Sequence, residues 1–245
     1  MDELKQKDIL ERLLEFADSL PTQNLLPTLV PEAAPLVMND PYAFAIAVCL
    51  DRGMKAEIVW TIPFYIQNDL GHLDPHQIHQ MTLDELASLF NRLPKRPRYI
   101  NAAPKTLKDI TRIVVEECNG NAANIWNGRR AADVKRVFLS VHGVGPGIAN
   151  MGVLLIEKTF NVRFNDLDRS RMDIKPDVHT VRVLHRLGVS DALTTDAAID
   201  GARLLSPHFP GAVDGALWEI GRRFCVPTNP NCADCPMTYL CAKRL

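Results

Sequence analysis

The sequence lacks any apolar run approaching the ~20 residues that cross a bilayer as a helix. It also lacks net charge: the formal value is −1 over 245 residues. A chain so balanced does not bind nucleic acid through bulk charge, although a focused cationic patch stays open to it. Local clusters exist at Lys95–Arg98 (KRPR), at Gly128–Arg130 (GRR) and as scattered arginines between Arg163 and Arg171; each alone is most simply a solvated face. Low-complexity segments, internal repeats of fixed period and alternating strands joined by hairpin turns are all missing. The start, MDELKQKDILERLLEF, is charged and amphipathic, unlike a signal or transit peptide. These absences lead us to expect a soluble, intracellular protein of the cytoplasm or nucleoid.

What is present is helical pattern and enough apolar residue, 47 %, for one large core or two small ones. Ile9, Leu10, Leu13, Leu14 and Ala17 recur at helical spacing. Thr82 and Glu85 predict a capping box opening a helix that carries Leu86, Leu89 and Phe90. Leu107–Cys118 repeats the pattern, with Gly120 as a stop. Val178–Leu187 is another such helix, closed by Gly188. The prediction is an all-α fold. Pro21–Pro41 reads as a connector and Asn161–Pro176 as a loop.

Of six cysteines, four fall in the last segment: Cys225, Cys232, Cys235 and Cys241, spaced C-x6-C-x2-C-x5-C. Thiols this concentrated in an intracellular chain point to metal rather than disulfides. Zinc held by four thiolates and an iron–sulfur cubane both suit the spacing. With all ligands supplied by protein, such a site defaults to folding or redox tuning. Cys49 and Cys118 sit in apolar context and read as core residues.

The stretch VHGVGPGIAN, Val141–Asn150, interrupts helical pattern with a glycine-rich turn. Gly143 and Gly145 permit positive φ or close approach, and Pro146 suits the first turn of a new helix. The backbone amides of Gly143, Val144, Gly145 and Gly147 would then offer a pocket for a phosphate oxygen. A plain helix–helix turn is the ordinary reading of such a stretch. Downstream, Asp177 in PDVHTVRVLHRLG precedes an amphipathic helix, where an N-cap is the ordinary role and a reacting carboxylate the sharper one.

In combination and in this order, the hairpin, the PDVHTVRV segment and the cysteine spacing resemble the helix-hairpin-helix-GPD superfamily of DNA glycosylases, endonuclease III-like branch. The resemblance covers about the last hundred residues; the first half is similar only as a helical scaffold. It implies two helical lobes with a cleft between them: a six-helix body, 36–164, ending in the hairpin, and a discontinuous lobe, 1–35 with 165–245. It implies Asp177 as the catalytic carboxylate, a [4Fe–4S] cluster on the four cysteines with zinc as the alternative, and double-stranded DNA holding a damaged, mismatched or modified base as partner. A monomer with no membrane association is implied as well.

Departures from the pattern sharpen it. Bifunctional members carry a lysine two residues after the last hairpin glycine; here that residue is Gly147, which implies base removal without strand cleavage. Lys158 and Lys175 fit no motif that would replace it. The interval before Asp177 is long, with Asn161–Lys175 as the excess. LDRGMKAE stands where the family commonly has a glutamine, putting Asp51 and Arg52 near the space of an extruded base, with Arg52 as a wedge or phosphate contact or, equally, an exposed helix-end arginine. His179 and Arg182 are expected at helix-end hydrogen bonds and interlobe or phosphate contacts, and Trp60, Tyr65 and Tyr99 as core or base-stacking residues. A bifunctional enzyme using another lysine, a silent DNA-binding or redox-sensing relative, and a zinc-stabilised protein unrelated to DNA remain the alternatives.

Overall fold

The computed structural model describes residues 2–244 and folds them as helices joined by turns, with no strand among them. The chain opens with α1 (Glu3–Ser19) and the single turn α2 (Thr22–Leu25), then α3 (Ala33–Asn39), α4 (Pro41–Leu50), α5 (Ala56–Val59) and α6 (Ile62–Leu70). Next come α7 (Pro75–Gln80), α8 (Leu83–Arg92), α9 (Ala103–Arg112), α10 (Ala131–Ser140) and α11 (Pro146–Thr159). Beyond a long loop lie α12 (Val178–Leu187), α13 (Thr195–Leu205) and α14 (Asp214–Arg223), followed by the cysteine-bearing tail.

These elements form two compact units. The hairpin unit is continuous, Leu26–Leu167; the split unit joins Met1–Leu25 to Asp168–Leu245. The divisions read from sequence lay at 35/36 and 164/165. The first of those positions falls inside α3, whose Ala33 and Val37 are buried and which packs on α4 and α6. Pro21–Pro41 is therefore not a bare connector. Its prolines sit where helices accept them: Pro35 in the first turn of α3, and Pro41 directly after the N-cap Asp40. Asp40 Oδ1 accepts from the amides of Tyr42 at 2.8 Å and Ala43 at 3.3 Å.

The hairpin unit is built around α4, in which every residue from Tyr42 to Leu50 is buried. A helix apolar on all sides belongs in a core, and α3, α6, α9 and α11 surround it. No single helix among the described residues is long and apolar enough to cross a membrane. Burial pushes the Cys49 thiol far up, in keeping with a core cysteine. The helix expected over Leu107–Cys118 starts earlier, at Ala103, with Pro104 in its first turn, and finishes as a π-helical turn, Ile113–Glu117. The capping box on α8 is present: Glu85 N donates to Thr82 Oγ1 at 3.2 Å and Thr82 N to Glu85 Oε2 at 2.7 Å.

In the split unit, α1 turns Ile9, Leu13 and Ala17 inward and packs on α13 and α14. α12 contributes Val183, Leu184 and Leu187 to the same core, which Met237 of the tail joins. Gly188 ends α12 in the left-handed region, φ +83°, a geometry that glycine adopts without a Cβ penalty. The predicted loop over Asn161–Pro176 is a loop, with one 3-10 turn at Arg169–Arg171.

Candidate functional site

In the hairpin unit, α10 and α11 pack on one another and enclose the turn Val141–Gly145. Alternation of roles explains the turn: Val141, Val144 and Ile148 are buried, while His142 and Gly143 are exposed. Gly145 is the N-cap of α11 and supplies no side chain to close it, so the first turn, containing Pro146 and Gly147, opens without a side-chain cap. Helix N-termini in that condition carry outward amides and partial positive charge. Gly143 has φ +82°.

The sequence did not reveal what anchors this turn. Both polar groups of the His142 peptide are held by α9: its amide donates to Asp109 Oδ2 at 3.0 Å, and its carbonyl accepts from Thr106 Oγ1 at 2.9 Å. Thr106 is fully buried, as is Thr111 on the same helix, among Ala103, Leu107 and Ile110, and hydroxyls spaced with an apolar face were the signal available. Arg52 joins the same group. Its Nη2 donates to Thr106 Oγ1 at 3.1 Å, and its guanidinium lies 5.2 Å from the Tyr99 ring centroid. Arg98 stacks on that ring too, at 5.9 Å, and donates to the Gly53 carbonyl at 3.0 Å. Trp60 is 1 % exposed and packs on Phe44, so it is core and does not line a base pocket. Tyr65 is half-buried beside Phe64. Lys158 lies exposed in the last turn of α11.

In the split unit, Asp177 is the N-cap of α12, as its position suggested. Its Oδ1 accepts from the amides of His179 at 2.7 Å and Thr180 at 2.9 Å, and its own amide donates to Thr180 Oγ1 at 2.9 Å. This reciprocal cap fixes the carboxylate at the positive end of the helix. Both side-chain bonds fall on one oxygen, so Oδ2 retains its lone pairs. The Lys175 amide donates to Asp214 Oδ1 at 3.2 Å.

Arg182 is placed differently from a phosphate ligand. It donates from Nε to the Cys225 carbonyl at 2.6 Å, from Nη1 to Val178 O at 2.8 Å and from Nη2 to Gly221 O at 2.9 Å. His179 Nδ1 lies 3.1 Å from Nη2. Burial, with Arg186 alongside, draws the Arg182 pKa below the ordinary guanidinium value, against the opposing pull of Cys225 and Asp177. Arg182 is a strut tying α12 to the end of α14 and the start of the tail.

The tail folds by short turns, with Thr238 N donating to Cys235 O and Cys241 N to Met237 O, and with Met237 buried beneath them. All four tail cysteines are free thiols, half-buried, and line one pocket with Arg186 and Phe224. N–H donors are directed at two of the sulfurs: Arg186 Nη1 at 3.5 Å from Cys225 Sγ, and the Lys243 amide at 3.4 Å from Cys241 Sγ. Arg186 also donates to the carbonyls of Val226 and Pro227, both at 2.8 Å. Burial pushes the Cys235 and Cys241 thiols up, and the neighbouring thiols add to the rise. Among the described residues no three His, Cys, Asp or Glu side chains stand close enough to hold a single ion.

No family model matches the chain. Endonuclease III of Thermotoga maritima is 28 % identical over 134 residues, 54 % of this chain and 53 % of that protein. The chain thus matches about half the length of that curated relative. Among solved structures, a non-covalent endonuclease III–DNA complex superposes with a TM-score of 0.65 at 18 % identity, covering 99 % of this chain and 96 % of that one. A trapped endonuclease III–DNA covalent intermediate, in an estranged-adenine complex, gives 0.62 at 18 %, over 97 % and 96 %. A thermostable thymine-DNA glycosylase gives 0.60 at 20 %, over 98 % and 96 %. At these identities the structural likenesses establish the fold.

Proposed function

We propose that the chain is a member of the helix-hairpin-helix-GPD superfamily, in its endonuclease III-like branch, and a DNA glycosylase of base-excision repair that removes a base without cutting the strand; the similarity to an endonuclease III and to the folds of solved glycosylases supports the reading. Its partner is double-stranded DNA carrying a damaged, mismatched or modified base. The uncapped first turn of α11 receives a backbone phosphate, and the target nucleotide is extruded from the stack before reaction. Breaking the N-glycosidic bond builds oxocarbenium charge on the sugar. Asp177, held through Oδ1 by two amides, leaves Oδ2 to stabilise that charge and to orient or deprotonate the attacking water. The observation that carries the chemistry is this reciprocal cap, which presents a carboxylate in one fixed orientation.

Gly147, in the first turn of α11, supports the monofunctional reading, because no amine stands there to attack C1′. The donor set of the tail, four cysteines around one pocket, supports the reading of an iron–sulfur cubane, whose core is held by four thiolates. Cys225, Cys232, Cys235 and Cys241 would hold it, with Arg186 donating to the Cys225 sulfur. When bound, such a cluster cross-links the tail and leaves no open position for substrate.

Asp177→Asn tests the assignment cleanly, because asparagine caps a helix about as well as aspartate. Duplex binding and thermal stability should stay at the parental level while single-turnover excision falls by about two orders of magnitude or more, the effect of losing roughly 3 kcal/mol of preorganised charge stabilisation. Excision at the parental rate would remove Asp177 from the chemistry.

A further inference from the structure

Arg52 occupies an unusual place for a surface-loop arginine. Three groups restrain its guanidinium: the Tyr99 ring at 5.2 Å from its centroid, the Thr106 hydroxyl at 3.1 Å, and the face of Gly143. A β-carbon built on Gly143 would overlap Nη1 of Arg52. The turn therefore needs glycine there twice over, once for φ +82° and once for the cation behind it. From Arg52 a chain of hydrogen bonds runs through Thr106 Oγ1 to the His142 carbonyl, whose own amide is fixed by Asp109.

We propose that Arg52 is a positioning residue for the hairpin. It backs the glycine turn and polarises the Thr106–His142 bond, keeping the amides that open α11 in the geometry that takes a DNA phosphate. The proposal rests on the reading of this chain as a duplex-DNA binder, and it assigns Arg52 a role behind the turn in place of a direct phosphate contact. A lysine would not replace it, because the planar fork alone can lie flat on Tyr99 while donating in its own plane to Thr106.

The full chain with Arg52→Met or Arg52→Lys would be compared with the parent in two assays. One is anisotropy binding to a duplex carrying a stable abasic-site analogue, across a salt series. The other is amide hydrogen exchange over residues 142–148. Both variants should bind several-fold more weakly with an unchanged slope of log Kd against log salt, since neutral backbone donors release no counterions. Amides of the hairpin should exchange faster, while those of α12 should not. A second comparison uses glycine: Gly143→Ala should weaken binding less in an Arg52→Ala background than in the parent, because only the backbone strain remains. In Arg52→Met, a slope reduced by about one would make Arg52 a direct phosphate ligand and overturn the proposal. Unchanged affinity and exchange, or strict additivity of the two alanine substitutions, would overturn it as well. If the parent itself fails to bind duplex, the reading as a DNA binder fails, and the exchange data alone decide whether Arg52 orders the turn.

Discussion

The hairpin turn and the cysteine tail are both short, polar and rich in residues that break helices, yet they are held by opposite means. The turn is fixed from behind by a preformed core: α4 is fully buried, and Thr106, Asp109 and Arg52 clamp the turn's backbone with side chains drawn from distant segments. The tail is fixed by local turns, by one buried side chain, Met237, and by arginines that donate to its carbonyls. Its largest internal resource is four thiols around one pocket. The hairpin geometry is thus a property of the polypeptide, whereas on the proposed function the tail would depend on a cluster held by its thiols.

That contrast can be broken most forcefully at the tail. If the tail holds the proposed cluster, Cys235→Ala should lower the iron content of the purified chain and expose residues 225–244 to protease, because a structural metal site commonly supplies on the order of 10 kcal/mol to the segment that forms it. Protease protection of α9 to α11 should persist. A tail that stays protected without iron would show that it folds on its own contacts.

A middle-sized effect should come from the hairpin. Thr106→Val removes two part-buried hydrogen bonds, to the His142 carbonyl and from the Arg52 guanidinium, each worth about 0.5–1.5 kcal/mol. Thermal denaturation should register that loss, and hydrogen exchange should place it at the turn, with iron content unaltered.

The smallest effect sharpens the comparison by touching neither region. Thr82→Ala removes the cap of α8 and should cost about 1 kcal/mol, read by thermal denaturation, without altering duplex binding or iron content.

How much of this was legible in the sequence follows from the range of each interaction. Capping at Thr82 and Asp177, the left-handed end at Gly188 and the glycine at the hairpin are set by residues three or four apart, and local chemistry predicts them. The all-helical fold followed from periodicity. α4 escaped a specific prediction because a helix buried on every side has no amphipathic period to detect. α3 escaped because Pro35 and the prolines flanking the helix read as a linker, although a helix admits proline in its first turn. The Arg52–Thr106–His142 relay joins residues 54 and 36 positions apart; no spacing rule reaches that far. Arg182 was open in the sequence between helix-end and ligand contacts, and its surroundings decide for three carbonyls, that of Val178 in its own helix among them.

The most direct test of the central claim is a single-turnover excision panel, with uracil, mismatched thymine, adenine opposite oxidised guanine, oxidised pyrimidines and alkylated purines in duplex DNA, each read with and without hot alkali. Strand breaks that require alkali, on at least one of these substrates, are the predicted result and would name the base removed. Breaks without alkali, accompanied by a borohydride-trapped protein–DNA adduct, would contradict the monofunctional mechanism and require an amine from elsewhere in the chain.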